Sequence, residues 1–186
     1  MKKNLSFILV LYFFFCTEVF ASQKKNIINN LNKIKNITFD FEQTIDEKKE
    51  KGNCVIKYPK LINCSYDGTK GKKMISNGNS LVIKITNSDI SYIYPLESTP
   101  LNYILDKNYI ISEIKKLEPK FIENKYIYFT MLNENQKINI FFDSKDFHII
   151  GWQTEDIYQN LVITFISKIK INQKIDDKLF KLPKLN

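Results

Sequence analysis

The sequence predicts a single α+β domain built on one large antiparallel sheet with two or more short helices. Apolar and polar residues alternate over most of the chain, which is typical of strands that bury one face. The alternating stretches are separated by short segments such as Asn77-Gly78, a strong hairpin signal, so neighbouring strands are expected to pair. No repeat, linker or low-complexity segment divides the 186 residues, which favours one domain.

The first 21 residues have the pattern of a secretory signal peptide. Lys2 and Lys3 precede an apolar stretch at 5–15, and residues 19–21 (VFA) place small side chains at the −3 and −1 positions of a cleavage site. The apolar stretch is short for a membrane span. We expect cleavage after this segment and an exported domain over residues 22–186, the alternative being an uncleaved amphipathic anchor.

The exported domain keeps two cysteines, which lie symmetrically about a turn signal. Cys54 and Cys64 are each five residues from Pro59. If the chain turns there, the two residues face each other across a hairpin with Cβ atoms ~5 Å apart, within reach of a disulfide. Because exported proteins are oxidised, we expect that bridge, stabilising by about 2–3 kcal/mol in the chain-entropy model. The alternative is a pair of buried free thiols.

Two segments have helical rather than strand periodicity. Residues 22–36 carry apolar residues at helical spacing, and so do residues 99–106, where Thr99 is expected to cap the helix and Pro100 to occupy its first position. The pattern is ambiguous over 109–123. Strands are expected at 37–42, 50–58, 61–67, 71–76, 79–86, 89–94, 125–132, 136–143, 147–155 and 159–171.

The charge of the chain excludes one class of partner. The formal net charge is +8 at pH 7, and every cationic side chain is a lysine, since the sequence contains no arginine. Proteins that bind nucleic acids or phosphates commonly use the bidentate guanidinium of arginine. An exported chain with scattered lysines is therefore not expected to bind nucleic acid.

Catalytic constellations are not evident. His148 is the only histidine, too few for a metal-ligand cluster, and it is expected within an apolar strand. No serine lies in a GxSxG elbow, which argues against a secreted hydrolase. Glu155 and Asp156 are expected to point to opposite faces of a strand, because neighbours alternate. These features predict a protein that is not an enzyme and holds no metal or cofactor.

Large apolar side chains recur on the predicted strands and are expected to share the inner face of the sheet. They admit two interpretations: an ordinary core under the helices, or a lightly covered concave face that admits a lipid. The residues are Phe39, Phe41, Ile56, Ile62, Tyr66, Phe129, Phe142 and Phe165.

Five motifs, taken in order, resemble those of the LolA family of periplasmic lipoprotein carriers. FDFEQ at 39–43 is similar to the family's F-x-x-x-Q strand, and ISNGNSL at 75–81 to its turn. STPLNYIL at 98–105 resembles the family's lid helix. Trp152 with Asp156 is similar to a W-x-x-x-D strand of family members, and LFKLP at 179–183 resembles the closing F-x-x-P motif.

The resemblance implies an incompletely closed β-barrel, or half-barrel, with helices lidding its concave apolar face. It implies that Pro100, Leu101, Ile104 and Leu105 form the lid. It also implies that Ile104, Leu105 and Trp152 bind lipid together with the eight inner-face strand residues named above. Family members usually carry arginine before the hairpin proline, an arginine linked to lid closure, whereas this chain has Tyr58.

The function implied by the resemblance is periplasmic transport. The protein is expected to bind the acyl chains of lipoproteins released from the inner membrane and to deliver them to the outer membrane. The implied partners are acylated lipoproteins, an inner-membrane lipoprotein-releasing ABC transporter, and an outer-membrane acceptor or the outer membrane itself, with the carrier a monomer. The alternative is a periplasmic module of the same half-barrel fold that senses lipid or lipoprotein.

Overall fold

A computed structural model describes most of the chain beyond the predicted signal peptide. Its first helix, α1, covers residues 22–33 and therefore ends three residues before the predicted limit of 36. The first strand starts at Asn36. The predicted signal peptide lies outside the described residues. Those residues are 22–68, 71–88, 90–133, 136–156 and 159–183.

Eleven strands form one antiparallel sheet with the order β6-β5-β4-β3-β2-β1-β11-β10-β9-β8-β7. Because β6 and β7 are edges that do not pair with each other, the sheet is not closed into a barrel, as the half-barrel prediction required. The strands are β1 Asn36–Ile45, β2 Lys48–Lys57, β3 Leu61–Tyr66, β4 Lys72–Asn77, β5 Ser80–Ile85, β6 Ile90–Pro95, β7 Lys120–Ile122, β8 Tyr126–Asn133, β9 Gln136–Asp143, β10 Ile149–Glu155 and β11 Leu161–Ile171.

Ten of these strands agree with the predicted ranges to within three residues at each end. The segment that sequence patterns left ambiguous contains a helix and the short strand β7. The helix, α3, covers Lys107–Lys116, and the carboxylate of Asp106 caps it by accepting from the backbone N–H groups of Asn108 and Tyr109, at 3.0 and 3.2 Å. The helical cover of the sheet is therefore larger than the sequence indicated.

The segment predicted as the lid contains a single helical turn, α2, over Leu101–Ile104. The expected cap is wrong. Pro100 occupies the N-cap position with no side-chain hydrogen bond, and the hydroxyl of Thr99 donates to the Leu96 carbonyl at 2.8 Å. Leu96 belongs to a 3-10 turn, Leu96–Ser98, so the Thr99 side chain closes that turn instead of opening the helix. None of the helices in the described residues is long and apolar enough to cross a membrane.

The sequence predicted two hairpins, one in the correct register and one with its turn misplaced by a residue. The turn at Pro59 sets Cys54 opposite Cys64, in the predicted register. The β4–β5 turn lies one residue later than predicted, because its two loop residues are Gly78 and Asn79. The side chain of Asn77 stabilises it by accepting from the N–H groups of Asn79 and Ser80, at 3.1 and 3.0 Å.

Two β-bulges help the sheet to curl. One lies on β11, where Ser167 to Lys170 is one residue longer than the facing segment of β1, and the other lies on β10 between Ile149 and Gly151, where it pairs with β9. Bulges bend a strand and increase its twist. As a result, residues of β5 and β9, on opposite halves of the sheet, line one cavity.

The core fills the concave side of this curled sheet. One continuous buried cluster joins apolar residues from α1, α2 and α3 to the inner face of the strands. The convex side is covered separately by the C-terminal part of the chain, where a 3-10 turn, Asp177–Phe180, packs on β3 and β4. Phe180 is buried there, and the Asn63 side-chain amide donates to the Leu179 carbonyl at 2.5 Å.

Gly52 on β2 is predicted to be intolerant of any side chain. A Cβ at this position lies 2.1 Å from the Ser65 carbonyl oxygen and 2.9 Å from the Phe41 ring. Gly52→Ala is therefore expected to lower the free energy of unfolding by about 1–3 kcal/mol. Asn53→Ala, an exposed neighbour, should change it by less than about 0.5 kcal/mol in the same urea titration. Equal effects for the two variants would contradict this close approach.

Candidate functional site

The concave face brings together ten of the eleven residues predicted to bind lipid. All ten belong to the buried cluster or pack directly against it, so they surround one apolar interior. They are Phe39, Phe41, Ile56, Ile62, Tyr66, Ile104, Leu105, Phe129, Phe142 and Trp152.

Phe165 is the exception, and its predicted inner position is wrong. Its side chain is 50% exposed, and it pairs with Glu42 across β1, whose side chain faces outward. The next residue, Ile166, pairs with Phe41 and is buried. Apolar residues occupy both faces of this part of β11, so an apolar side chain does not by itself identify the inner face. On the convex side Phe165 instead contacts Phe141, with ring centroids 6.2 Å apart.

Aromatic side chains are packed closely in the middle of the concave face. The rings of Phe41 and Tyr66 meet edge to face, with centroids 4.9 Å apart, over the space left by Gly52. The Lys72 ammonium lies 4.1 Å from the centre of the Tyr66 ring and pairs with Glu50 at 2.7 Å. Burial, reinforced by the negative charge of Glu50, raises the pKa of the Tyr66 hydroxyl.

The residues predicted to form the lid lie inside the apolar interior. Ile104 and Leu105 are 1% and 0% exposed, while Pro100 and Leu101 are half-buried at the start of α2. The backbone N–H of Lys60, in the β2–β3 turn, donates to the Leu105 carbonyl at 2.7 Å. A backbone hydrogen bond to a neighbouring turn therefore holds the end of this segment against the sheet.

Tyr58 stands in that same turn, where the family usually has arginine. Its ring packs against the buried cluster, and its N–H donates to the Lys35 carbonyl at 3.0 Å. Burial raises the pKa of the Tyr58 hydroxyl, so this side chain is neutral at physiological pH. It therefore brings no positive charge to this turn.

Cys54 and Cys64 are joined by a disulfide on the concave face. Both are buried, and the bridge lies in the row of the sheet that contains Phe39 and Met74. Its position among aromatic and thioether side chains, with no third cysteine nearby in the described chain, is typical of a structural bridge.

An opening into this interior lies where the two halves of the curled sheet approach each other. We call it the mouth cavity. Its volume is about 450 Å³. Glu155 and Asp156 both line it, contrary to the predicted divergence, because β10 ends at Glu155 and Asp156 already belongs to the turn. The described lining residues are Leu81, Ile83, Tyr94, Ser98, Thr99, Pro100, Gln136, Glu155, Asp156 and Gln159.

The single histidine is remote from this opening in the fold. His148 precedes β10 instead of lying within it, and its carbonyl accepts from the Asp143 N–H at 2.9 Å. Its Nδ1 is buried and has no hydrogen-bond partner among the residues that the structure describes. In the part of the chain that the structure describes, no group of three or more His, Cys, Asp or Glu residues is placed to hold a metal ion.

Sequence patterns missed the helix α3 and the polar residues of the mouth cavity. The helix had a usable signal, since Asp106 is a good N-cap and Ile110, Ile111 and Ile114 follow at helical spacing. No local signal unites Gln136 with the residues of the β10–β11 turn, because only the curl of the sheet brings them together.

An open curled sheet whose apolar inner face is covered by helices defines a half-barrel protein with an enclosed apolar interior. A sequence model of one family matches residues 32–183, which is most of the chain. That family is described as Outer membrane lipoprotein carrier protein LolA, and the chain belongs to it. No curated protein matches the sequence.

Three solved structures of low sequence identity are similar to this chain. An uncharacterized conserved protein from Thermus thermophilus is 7% identical, with a TM-score of 0.52 over 88% of this chain and 94% of that one. A LolA superfamily protein from Nitrosomonas europaea is 10% identical, with a TM-score of 0.45 over 85% and 97%. Lipoprotein LppX from Mycobacterium tuberculosis is 8% identical, with a TM-score of 0.45 over 86% and 99%.

The neutral state of Tyr58 predicts a stability change at high pH. Its pKa is raised in the folded protein, so above about pH 10 the unfolded chain ionises first and the free energy of unfolding falls as pH rises. Tyr58→Phe should make that fall less steep in urea titrations between about pH 9 and 11. Tyr92→Phe removes an exposed hydroxyl and is the matched control. Equal slopes for wild type and Tyr58→Phe would mean that Tyr58 is hydrated.

Proposed function

We propose that this protein is a periplasmic carrier that binds the acyl chains of lipoproteins released from the inner membrane and delivers them to the outer membrane. Membership of a family described as an outer membrane lipoprotein carrier supports the proposal. The enclosed apolar interior supports it from the structure. The role requires export, and residues 1–21 are proposed as the signal peptide that provides it.

The observation that carries the proposal is the position of the lid side chains. Ile104 and Leu105 are fully buried on an apolar face that the sheet provides on its own, and they reach it from a single helical turn. A segment this short has little stability by itself, since isolated short helices are marginal in water. The lid can therefore leave the face when another apolar group replaces it.

Magnitudes indicate which group wins this competition. Burying Ile104 and Leu105 stabilises the closed lid by about 3–6 kcal/mol. Burying one long acyl chain is worth on the order of 10 kcal/mol, at about 0.8 kcal/mol per methylene. An acyl chain can displace the lid, and the lid reduces the net affinity, which keeps release at the target membrane possible.

The proposed partners follow from this role. They are acylated lipoproteins, an inner-membrane lipoprotein-releasing ABC transporter, and an outer-membrane acceptor or the membrane itself. We propose a monomeric carrier without cofactor, because one chain already encloses the interior. Transport of this kind involves no bond-breaking step, so the proposed activity is not enzymatic.

The test is to weaken the lid without weakening the sheet. Ile104→Ala removes buried contacts of the closed lid, and Ile27→Ala removes equally buried contacts of α1. Each should lower the free energy of unfolding by about 2–4 kcal/mol. Only Ile104→Ala should raise the affinity for a fluorescent long-chain fatty acid, severalfold, because only this variant lowers the cost of opening.

Two results would contradict the proposal. If Ile104→Ala folds and binds the probe with wild-type affinity, this helix is ordinary core. If neither the wild type nor the variant binds the probe or an acylated peptide, the interior is a sealed core and the carrier function is wrong.

A further inference from the structure

The mouth cavity has a charge opposite to that of the whole protein. The chain has 28 Lys and Arg residues against 20 Asp and Glu residues. Yet the charged groups among the described residues that line the mouth cavity are both carboxylates, Glu155 and Asp156. An opening whose described lining contains two carboxylates and no lysine provides a local field that attracts cations and repels anions.

The two carboxylates of the mouth cavity, Glu155 and Asp156, have different surroundings. Asp156 is fixed by the β10–β11 turn, where its carboxylate accepts from the backbone N–H and the side-chain amide of Asn160, at 2.9 and 3.0 Å. Glu155 ends β10 with an exposed side chain and forms no ion pair with a lysine of the described chain. Glu155 is therefore available to a ligand, whereas Asp156 adds a fixed negative charge behind it.

Three of the neutral polar side chains of the mouth cavity also present acceptors. Ser98 and Thr99 already donate their hydroxyl protons, to the carbonyls of Pro95 and Leu96, each at 2.8 Å. The side-chain oxygen of Gln136 is shielded from solvent and accepts no hydrogen bond from the described residues. A shielded acceptor without a partner is costly and usually has one supplied from elsewhere. The lining thus fits a ligand group that carries donors.

The apolar surface is continuous from the mouth cavity to the interior. Leu81 lines the cavity and is also a member of the buried cluster. Pro100, where the lid begins, lines the same cavity. A ligand whose acyl chains replace Ile104 and Leu105 therefore places its polar end against Gln136 and Glu155.

We propose that the mouth cavity binds the free, protonated α-amino group of a diacylated lipoprotein anchor, whose two acyl chains enter the interior. The inference rests on the proposed carrier function and specifies its cargo. A free α-amino group, with a pKa of about 7.7–8.0, is cationic at neutral pH and brings three donors. An N-acylated anchor has a neutral amide there, with one donor and no charge, and a phospholipid headgroup brings a phosphate that the carboxylates repel.

The experiment compares two synthetic lipopeptides that differ only at the amine. One is a diacylglyceryl-cysteine peptide with a free α-amino group, and the other is the same molecule N-acetylated, both labelled with a fluorophore at the peptide's C-terminal end. The wild type should bind the free amine about tenfold more tightly, the scale of one charge-assisted hydrogen bond. Glu155→Gln and Gln136→Leu should each reduce that preference severalfold.

Glu123→Gln is the matched control, because it removes an exposed carboxylate at the opposite end of the sheet, in the β7–β8 turn. It should keep the wild-type preference. Tight and equal binding of both lipopeptides overturns the amine site but leaves the carrier function intact. Failure of both to bind overturns the carrier function and the amine site together. Competition by dioleoyl phosphatidylethanolamine as effective as that by the free-amine lipopeptide assigns the cavity to a phospholipid and also overturns the proposal.

Discussion

The packing of Ile104 and Leu105 against the concave face is the contact on which the rest of this structure depends. Eleven strands that curl without closing leave an apolar surface that must be covered, and α1 and α3 cover it around the position of α2. The cover at that position comes from one helical turn, tied at its end by the N–H of Lys60 to the carbonyl of Leu105. The same contact therefore completes the fold and covers the apolar surface to which the proposed function assigns the acyl chains.

The inner face of the sheet changes from apolar to polar along the strands. On β1 the inward side chains are Ile37, Phe39 and Phe41 and then Gln43, whose amide donates to the hydroxyl of Thr164 at 3.0 Å. The mouth cavity opens toward this polar end, where β9 starts and β10 stops. One continuous surface therefore passes from an apolar part to a polar part, which is the arrangement that the proposed diacylated anchor requires.

The fold was predictable because its determinants are local. Alternation marks each strand, and a turn midway between Cys54 and Cys64 sets a hairpin register without any long-range information. The face of Phe165 was not predictable, since β11 has apolar residues on both faces and a bulge just after Ile166 changes which of its residues face inward. Gln136 and Glu155 meet only through the curl of the whole sheet, so a local sequence pattern cannot place them in one site.

The central claim is that the closed interior opens to hold acyl chains, and native mass spectrometry of protein purified from the periplasm tests it most directly. The account predicts a population of molecules heavier than the polypeptide by the mass of an acylated lipoprotein or lipid, and loss of that mass on delipidation with the fold retained. Correctly processed, folded protein that is recovered without any such adduct, and that gains none when incubated with acylated lipoprotein, would contradict it.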